Sequence, residues 1–524
     1  MNSTTTRPIV WSIAGSDSGA GAGLQADLKA FEAIDVHGCT VVAAITAQNS
    51  LAVQRAEPVP TDLLDAQLAA LASDMRPAAI KTGMLGSVAN VGCAAAWLDR
   101  LRRDGPVALV VDPVWRATTG AELGSEDLRE ALRRELLPRA TVITPNRAEA
   151  AWLLGWDPST LATADGVQQA AAALQALGPQ AVVITGGDAG GGHASDWIAT
   201  PEASAWLSLP RIDTAHHHGS GCVFAATLAA ALALGFCSAD AAVIAKMGTA
   251  HALGEGSAAG QGAGAVRPMR GFALQSALLP ALHHNSEVGD LAFAPLAQPD
   301  LGLYAIVDSA DWVERLLAAG ARTLQLRIKQ GTPQQLSSQV RRSVRAARLA
   351  GAQLFINDHW QLALEHGAYG VHLGQEDLAT ADLDALRRAG LRLGISTHSY
   401  WEVCRAHALN PSYIACGPIH ATTTKDMPWW PQGLDNLAYW CRLLREPVVA
   451  IAGMDAERSQ QAVRCGAAGV AVLRGIVQAA DPARALLDLQ AAINEAAGAA
   501  RWSAPALPRS TLAGPVPPLW RKER

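Results

Sequence analysis

Short β-branched apolar runs alternate along most of the chain with Ala-, Leu- and Arg-rich segments of helical period. Such alternation predicts parallel strands that are covered by helices on both faces of a sheet. Between Arg7 and about Arg270 the predicted strands are Ile9–Ala14, Thr40–Thr46, Ala79–Thr82, Ala108–Asp112, Thr141–Thr144 and Ala181–Thr185.

A second alternating region begins at Leu301 and has the pattern of a compact (β/α)8 TIM barrel, which needs eight strands with helices between them. Its predicted strands are Leu303–Val307, Thr323–Ile328, Gln353–Asn357, Gly370–Leu373, Arg392–Ser396, Tyr413–Cys416, Val448–Ala452 and Gly469–Leu473. The pattern divides the chain into an α/β domain at 7–270, a linker at 271–300, a barrel at 301–497 and a proline-rich, disordered tail at 498–524.

The amino-acid composition argues against several classes of function. The 524 residues are 50% hydrophobic and 17% charged, and 42 Lys and Arg against 47 Asp and Glu leave a net charge of −5. This composition is globular and argues against a general nucleic-acid binder. The cysteines form no CxxC pair, the N-terminus lacks a signal-peptide pattern, and the Ala-rich runs are too short for a membrane span. A cytoplasmic protein without nucleic-acid or membrane partners is predicted.

Lysine is rare, with six lysines against 36 arginines. The two residues differ where a compact point charge is needed, so scarce lysines can mark functional positions. Codon bias is the alternative explanation. Five of the six fall inside or beside the motifs described below: Lys29, Lys81, Lys246, Lys329 and Lys425.

Two glycine clusters in the first half precede helical segments. The stretch Ala14–Gly23 (AGSDSGAGAG) leads into one helix, and Gly219-Ser220-Gly221-Cys222 leads into another. Successive N–H groups at a helix start can hold a transferring phosphoryl group. A helix N-terminus also lowers the pKa of a thiol, which would let Cys222 act as a base. A tight structural turn and a buried cap cysteine remain alternatives.

The first region resembles the hydroxymethylpyrimidine/phosphomethylpyrimidine kinases of thiamine biosynthesis, in the ribokinase-like superfamily, over about residues 8–255. The resemblance rests on AGSDSGAGAGLQADLK (14–29), Ala47-Gln48-Asn49, Lys81-Thr82-Gly83-Met84-Leu85, Asp112-Pro113-Val114, Thr144-Pro145-Asn146 with Glu149, and His218-Gly219-Ser220-Gly221-Cys222. It implies a ribokinase-like α/β/α fold, ATP as co-substrate and Mg²⁺.

The same resemblance implies roles for individual residues. Gly15 and Gln48 should contact the aminopyrimidine, with Asp27 nearby, and Asn146 and Glu149 should help to hold Mg-ATP. Cys222 should activate the substrate oxygen, and the amides of Gly219, Ser220 and Gly221 should stabilise the transferred phosphoryl group. Two departures stand out: Ala20 replaces the first glycine of a Gly-Gly pair, and Thr185 replaces a phosphate-neutralising lysine.

In the second region, chemistry is expected at the carboxyl ends of the barrel strands. Those positions carry cations, hydroxyls and two carboxylates, a set that suits one Mg²⁺ shared with a polyphosphate. The region resembles thiamine-phosphate synthase from about Gly302 to Val477, through the motifs GLYAIVD, TLQLRIK, LFINDHW, YGVHLGQEDL and TTTKDM.

That family joins hydroxymethylpyrimidine diphosphate to thiazole phosphate and releases pyrophosphate. The resemblance implies three groups of residues: Gln325, Arg327, Lys329, Asn357, Ser396 and Lys425 for the pyrimidine diphosphate; Asp358 and Asp377 for Mg²⁺; and Thr422, Thr424, Gly453, Leu473 and Arg474 for the thiazole phosphate. One departure is Ala452, where the family usually has glycine, and Trp429-Trp430 is interpreted as loop packing.

The leading hypothesis is therefore a bifunctional thiamine enzyme whose first half makes the diphosphate that its second half consumes. One alternative gives the kinase another vitamin-like alcohol, such as pyridoxal. Another makes the barrel a ligand-binding module or a tautomerase-like relative. The expected partners are small molecules, and a homodimer is left open.

Overall fold

In the computed structural model, the apolar runs of the first half lie side by side in a ten-stranded sheet, in the order β10-β9-β8-β7-β6-β5-β4-β1-β2-β3. The structure describes residues 7–116, 120, 124–284, 292–421, 428–512 and 514. The strands are β1 Ile9–Asp17, β2 His37–Gln48, β3 Val53–Pro58, β4 Ala79–Thr82, β5 Ala108–Val111, β6 Val142–Ile143, β7 Ala181–Ile184, β8 His193–Ala199, β9 Ser204–Pro210 and β10 Ala281–His283.

The six predicted strands are confirmed as β1, β2, β4, β5, β6 and β7, and they pair in parallel. The four strands that the apolar pattern missed are antiparallel and extend the sheet at its two ends. The β3 strand is mostly exposed, so its residues did not need to be apolar.

Helices cover this sheet and bury a continuous apolar core that includes Trp11, Leu64, Leu98 and Leu174. Helix α7 is buried along most of its length, which explains why it is apolar all round. Within the described residues, no helix has both the length and the apolar character that a membrane crossing requires. The helices are α1 Gly23–Ala33, α2 Thr61–Asp74, α3 Val88–Arg103, α4 Glu126–Ala131, α5 Arg147–Leu154, α6 Ala164–Gln175, α7 Ser220–Ala233 and α8 Ser238–Gly254.

The second half forms a closed barrel of eight parallel strands, in which the last strand pairs with the first. All eight predicted strands are confirmed: β11 Gly302–Val307, β12 Thr323–Leu326, β13 Gln353–Asn357, β14 Gly370–Leu373, β15 Arg392–Thr397, β16 Tyr413–Cys416, β17 Val448–Ile451 and β18 Gly469–Val472. Tyr304, Phe355 and Tyr413 meet edge-on or tilted inside the barrel.

The barrel helices show the amphipathic pattern expected of a shell that faces strands on one side and solvent on the other. Several begin with a side-chain cap, for example Thr332 with Gln335 at the start of α10. They are α9 Ala310–Ala318, α10 Pro333–Leu349, α11 Trp360–Glu365, α12 Leu383–Arg388, α13 Tyr400–His407, α14 Gly433–Leu443, α15 Ala456–Arg464, α16 Arg474–Val477 and α17 Pro482–Ala496.

The predicted linker, 271–300, is partly folded. Phe272 is buried and β10 pairs with β9, because this segment supplies apolar side chains and backbone groups to the sheet edge. The chain divides into two compact units, Met1–Val288 with Leu512–Arg524, and Gly289–Thr511.

The predicted disordered tail is also partly ordered. Ser510 and Thr511 are only 1% and 3% exposed. Despite its proline content, the segment holds its place because its polar groups bond to the barrel, for instance Arg509 N–H to Asn436 Oδ1 at 2.9 Å. The prediction of disorder is therefore wrong for the residues up to Leu512.

Candidate active sites

A cavity of about 510 Å³ opens in the N-terminal unit, where the parallel strands end. Its wall includes Asp17 at the end of β1, Asp112 after β5 and Thr185 after β7. Carboxyl ends of parallel strands are the usual ligand-binding edge of open α/β sheets. Eight of the nine residues predicted for this site line the cavity: Gly15, Gln48, Asn146, Glu149, Gly219, Ser220, Gly221 and Cys222.

Asp17 joins the two glycine-rich loops. Its Oδ1 accepts the Gly19 N–H at 2.7 Å, and its Oδ2 accepts the N–H groups of Gly21 and Ala22 at 2.9 and 2.8 Å. His218 Nε2, just before the second loop, lies 3.3 Å from the same oxygen. Burial by itself raises the pKa of Asp17, but the bonds from His218 and the amides outweigh it and lower the pKa to about 2.

The loops approach so closely that a side chain at Gly219 would not fit. A Cβ there would lie 1.9 Å from the Gly21 carbonyl oxygen, and Gly219 has a left-handed φ of 86°. Helix α7 begins at the next residue, and the N–H groups of a first helical turn have no partner within the helix. This turn lines the cavity and can receive an anion.

Asp27, which is expected near the aminopyrimidine, does not itself line the cavity. It is fully buried, where its Oδ2 accepts the Ser12 hydroxyl at 2.5 Å and both oxygens lie 3.1 Å from Lys81 Nζ. Lys81 also lies 3.3 Å from Asp112, and both of these residues line the cavity. The oxygens of Asp27 are therefore occupied by Ser12 and Lys81 behind the cavity wall.

The prediction of a lowered pKa for Cys222 is wrong. Burial raises the pKa of this thiol to about 12; the nearby Lys81 works in the opposite direction, and the Asp112 carboxylate adds to the rise. The helix N-terminus is not strong enough to overcome that desolvation. The thiol hydrogen bonds to Asp112, whose own pKa is raised by burial.

Asn146 and Glu149 form a capping box at the start of α5. Asn146 Oδ1 accepts the Glu149 N–H and Glu149 Oε2 accepts the Asn146 N–H, both at 2.8 Å. Burial, together with Asp112, raises the pKa of Glu149 well above its usual value. Asp112 lines the same cavity, and its Oδ2 lies 3.3 Å from Lys81 Nζ. Buried carboxylates of this kind fit a divalent cation, which would relieve their repulsion.

Thr185 stands where the resemblance leads us to expect a lysine, and a different lysine lines the same cavity. Lys246 on α8 lines the same cavity as Thr185 and forms a 2.8 Å ion pair with Asp196. Asp196 Oδ1 in turn accepts the Gly186 N–H at 2.9 Å, which ties the lysine to the loop after β7. At the other departure, Ala20 has a left-handed φ of 57°, and its carbonyl accepts Lys29 Nζ at 2.8 Å.

At the carboxyl end of the barrel, two carboxylates lie together. Asp358 has a left-handed φ of 62° and its Oδ2 is 2.6 Å from Lys329 Nζ. Burial and the neighbouring Asp358 raise the pKa of Asp377, as adjacent acids do when they disfavour each other's charge. Gly374 N–H donates to Asp377 Oδ2 at 3.1 Å. This pair fits Mg²⁺, which prefers oxygen ligands and often binds through one or two carboxylates with substrate phosphates.

A buried chain of hydrogen bonds connects two of the predicted pyrimidine-binding residues across the barrel. His372 Nε2 lies 2.9 Å from Ser396 Oγ and its Nδ1 lies 2.8 Å from Tyr413 OH. Tyr413 OH lies 2.8 Å from Tyr304 OH, which accepts Gln325 Nε2 at 3.3 Å. Burial lowers the pKa of His372 to about 4, so the imidazole is neutral at physiological pH.

Two further predicted residues lie at the same strand ends. Asn357 ends β13 and is 6% exposed, and its Nδ2 has no partner within the described residues, so a donor is ready for a ligand. Arg327 directly follows β12 and is close enough to His372 to lower the pKa of that ring.

The predicted thiazole phosphate site is only partly described. Gly453 has a left-handed φ of 72°, and a Cβ there would lie 2.7 Å from the His420 Cβ. Ala452 has a φ of 83°, which explains why glycine is usual there. Leu473 is the residue just before the short helix α16, which begins at Arg474. Thr422, Thr424 and Lys425 lie outside the described residues.

Comparison with known proteins gives the two halves separate matches. The phosphomethylpyrimidine kinase family model matches residues 17–267, and the thiamine monophosphate synthase model matches residues 303–476. A protein of Oryza sativa subsp. japonica named "Probable thiamine biosynthetic bifunctional enzyme, chloroplastic" is 33% identical over 486 residues, which cover 90% of this chain and 86% of the relative. The chain belongs to this bifunctional thiamine-biosynthesis family.

Other known proteins match one half of the chain each. The thiamine-phosphate synthase of Enterobacter sp. (strain 638) is 53% identical over 182 residues, which cover 34% of this chain and 86% of the relative. A Bacillus subtilis pyridoxal kinase in an ADP complex is 37% identical and covers 50% of this chain and 98% of its own, with a TM-score of 0.46. A phosphomethylpyrimidine kinase from Clostridium difficile 630 is 31% identical and covers 46% and 97%, with a TM-score of 0.40.

The enzyme therefore has a kinase unit and a thiamine-phosphate synthase unit, as predicted. Sequence reasoning assigned no function to Asp17, Asp112, Asp196 or Lys246 in the kinase unit. Asp17 and Asp112 stood in quoted motifs and Lys246 was noted as one of the rare lysines, so these three residues had a signal. Asp196 had none, because its bond to the loop after β7 forms only in the folded chain.

Proposed function

We propose that the kinase unit phosphorylates hydroxymethylpyrimidine and then its monophosphate, and that the synthase unit condenses the diphosphate with thiazole phosphate. The observation that carries this proposal is the convergence of eight predicted residues on one cavity, together with the paired carboxylates and Lys329 at the barrel mouth. Both sites are equipped to hold phosphate and a divalent cation.

In the kinase unit, Gly15 and Gln48 bind the pyrimidine, since an amide can donate and accept along a ring nitrogen and an exocyclic amine. The first turn of α7 receives the transferred phosphoryl group. Lys246 and Lys81 also line the cavity, where each forms an ion pair with a buried aspartate. Catalysis of this kind depends mainly on positioning and charge stabilisation.

Cys222 serves as a relay rather than as a preformed thiolate. As the substrate hydroxyl attacks the γ-phosphorus of ATP, its proton moves to Cys222 Sγ while the thiol proton passes to the Asp112 carboxylate, to which the thiol is bonded. The raised pKa of Asp112 makes that carboxylate a better proton acceptor. ADP leaves, and the substrate oxygen carries the phosphoryl group.

Mg²⁺ would be held in the kinase unit by Glu149 and Asn146 and in the synthase unit by Asp358 and Asp377. It would neutralise phosphate charge in both. In the synthase unit, Arg327 and Lys329 face the same charge on the departing pyrophosphate. The pyrimidine methylene cation left behind is captured by the thiazole nitrogen, which carries no proton, so no base is needed.

The test incubates the full chain with hydroxymethylpyrimidine, thiazole phosphate, ATP and Mg²⁺, and measures thiamine phosphate. Cys222→Ala should abolish product from the alcohol and leave product from supplied diphosphate intact, and Asp377→Ala should abolish both. Loss from both inputs in Cys222→Ala would overturn the division of labour.

Two alternatives are decided in the same experiment. Faster phosphorylation of pyridoxal than of hydroxymethylpyrimidine would reassign the kinase unit. Absence of condensation from supplied diphosphate would reassign the barrel to ligand binding or tautomerisation. The cytoplasmic location and a homodimer stay predictions.

A further inference from the structure

Three residues near the C-terminus, Arg509–Thr511, lie beyond the part of the chain that matches the synthase family model, which ends at residue 476. We call them the strap. Ser510 and Thr511 are almost fully buried, although the surrounding composition is that of a loose tail. The burial of such polar residues needs specific bonding partners, because an unsatisfied buried polar group is costly.

One set of partners is the segment that precedes and begins α14. Trp430 N–H donates to the Thr511 carbonyl at 2.8 Å, and Arg509 Nη2 donates to the carbonyls of Pro431 and Gln432 at 2.6 and 3.0 Å. Asn436 bonds to both backbone groups of Arg509 at 2.9 Å. The strap thus fixes the backbone that follows Trp429.

The other partner is the turn after β15. The Thr511 hydroxyl donates to the His398 carbonyl at 2.5 Å, and the buried Gln432 side chain donates to the same oxygen at 2.7 Å. The His398 ring stacks on Trp429 with 3.8 Å between ring centroids, and its Nδ1 lies 2.7 Å from Glu402. The strap, Trp429 and His398 are therefore one connected structure.

This structure adjoins a residue of the proposed synthase site. Ser396 lies two positions before His398, at the end of β15, where its hydroxyl meets His372 and its carbonyl accepts Gln375 Nε2 at 2.8 Å. A hydrogen bond from the strap to the His398 carbonyl restrains the backbone on the far side of Ser396. An error of about 1 Å in such a position can cost on the order of a hundredfold in rate.

We propose that the strap is a positioning element of the synthase reaction: through Thr511 and the His398 turn, it holds Ser396 in place for the pyrimidine diphosphate. The interpretation of Trp429 as loop packing is then incomplete, because its stack on His398 belongs to the same restraint. The proposal rests on the synthase function proposed above.

The experiment compares two truncations of the full chain. Removal of residues 513–524 keeps the strap, whereas removal of 509–524 deletes it. The shorter protein should show a KM for the pyrimidine diphosphate that is about tenfold higher, with kinase constants within twofold of the intact chain. The longer one should match the intact chain in both activities.

Two point variants decide the matter if the shorter protein folds poorly. Thr511→Val removes the hydroxyl while keeping the volume, and should raise the same KM about three- to tenfold, the range for loss of one hydrogen bond. Thr511→Ser restores the hydroxyl and should restore the KM. The proposal would be overturned if the KM for the pyrimidine diphosphate were unchanged in Thr511→Val. It would also be overturned if the variant differed from the intact chain only in containing a lower fraction of active protein. If the intact chain fails to condense supplied diphosphate with thiazole phosphate, the proposed function has failed instead.

Discussion

Asp17→Asn tests whether one buried carboxylate stabilises both glycine-rich loops of the kinase unit. The substitution keeps the shape of the side chain but removes its charge and turns one acceptor oxygen into a donor. That donor would face the N–H groups of the first loop, which now donate to Asp17. A carboxyl whose pKa falls from 3.8 to about 2 contributes about 2.4 kcal/mol to folding at neutral pH.

The sign of the pH dependence follows from the lowered pKa. The contribution is complete above the unfolded pKa of 3.8 and is lost as the pH falls through about 2, because the folded carboxylate must then take up a proton. The difference between the intact protein and Asp17→Asn should therefore be about 2.4 kcal/mol at pH 7, and about half of that at pH 3.

The assay is urea denaturation at both pH values, with phosphorylation activity as the probe of the kinase unit. Kinase activity should also fall at least tenfold in Asp17→Asn, because the loop with Gly219 loses its tie, while condensation from supplied diphosphate stays within twofold. The matched control is Asp74→Asn, an exposed carboxylate at the end of α2. A free energy of unfolding within about 0.5 kcal/mol of that of the intact protein at pH 7, the size of an ordinary surface substitution, would refute the reasoning. A difference at pH 3 as large as the one at pH 7 would refute it as well.

Three further outcomes are expected. Lys81→Met should destabilise the kinase unit by about 3–5 kcal/mol in urea titrations, which is the cost of breaking a buried ion pair. Adding Asp27→Leu should recover most of that stability, and no recovery would contradict the pairing of Lys81 with Asp27. Between pH 6.5 and 4 the intact synthase unit should lose about 3 kcal/mol of stability, since the folded His372 imidazole protonates only near pH 4 whereas the unfolded one does so near 6.5. His372→Gln should not show this loss, because it has no imidazole to protonate. Thermal scans that show equal pH dependence in both proteins would exclude that origin. Ala452→Gly should stabilise the synthase unit by up to about 1 kcal/mol, because a left-handed alanine costs about 1–2 kcal/mol, whereas glycine offsets part of that gain by raising the conformational entropy of the unfolded chain. A lower melting temperature in the variant would contradict this prediction.

The parallel strands could be predicted because burial on both faces demands continuous apolar runs. The edge strands could not, since β3 is largely exposed and β10 is only three residues long. The family resemblance singled out Gln48 and Asn146, and both line the cavity. It placed Asp27 only near the pyrimidine, because nothing in the sequence reveals that this carboxylate is buried behind Lys81.

The Cys222 thiol illustrates a second limit. Its position at a helix start predicted a lowered pKa, but the outcome depended on how much water the fold leaves around the sulfur, and desolvation is stronger here. The two unexpected alanines show the reverse case. Ala20 and Ala452 were marked as departures from a glycine pattern, and both have left-handed backbones, so the sequence had already identified strained positions.

The pairing of β10 with β9 has a consequence for dividing the enzyme into separately expressed halves. A cut near residue 270, where composition alone suggests a boundary, would strip Ala281–His283 from the kinase unit and leave the β9 edge bare. An uncovered edge invites pairing with other chains, so such a fragment should be prone to self-association. A cut after His284 would keep the edge capped. The better boundary for expressing the two units separately therefore lies closer to the barrel than the amino-acid composition suggests.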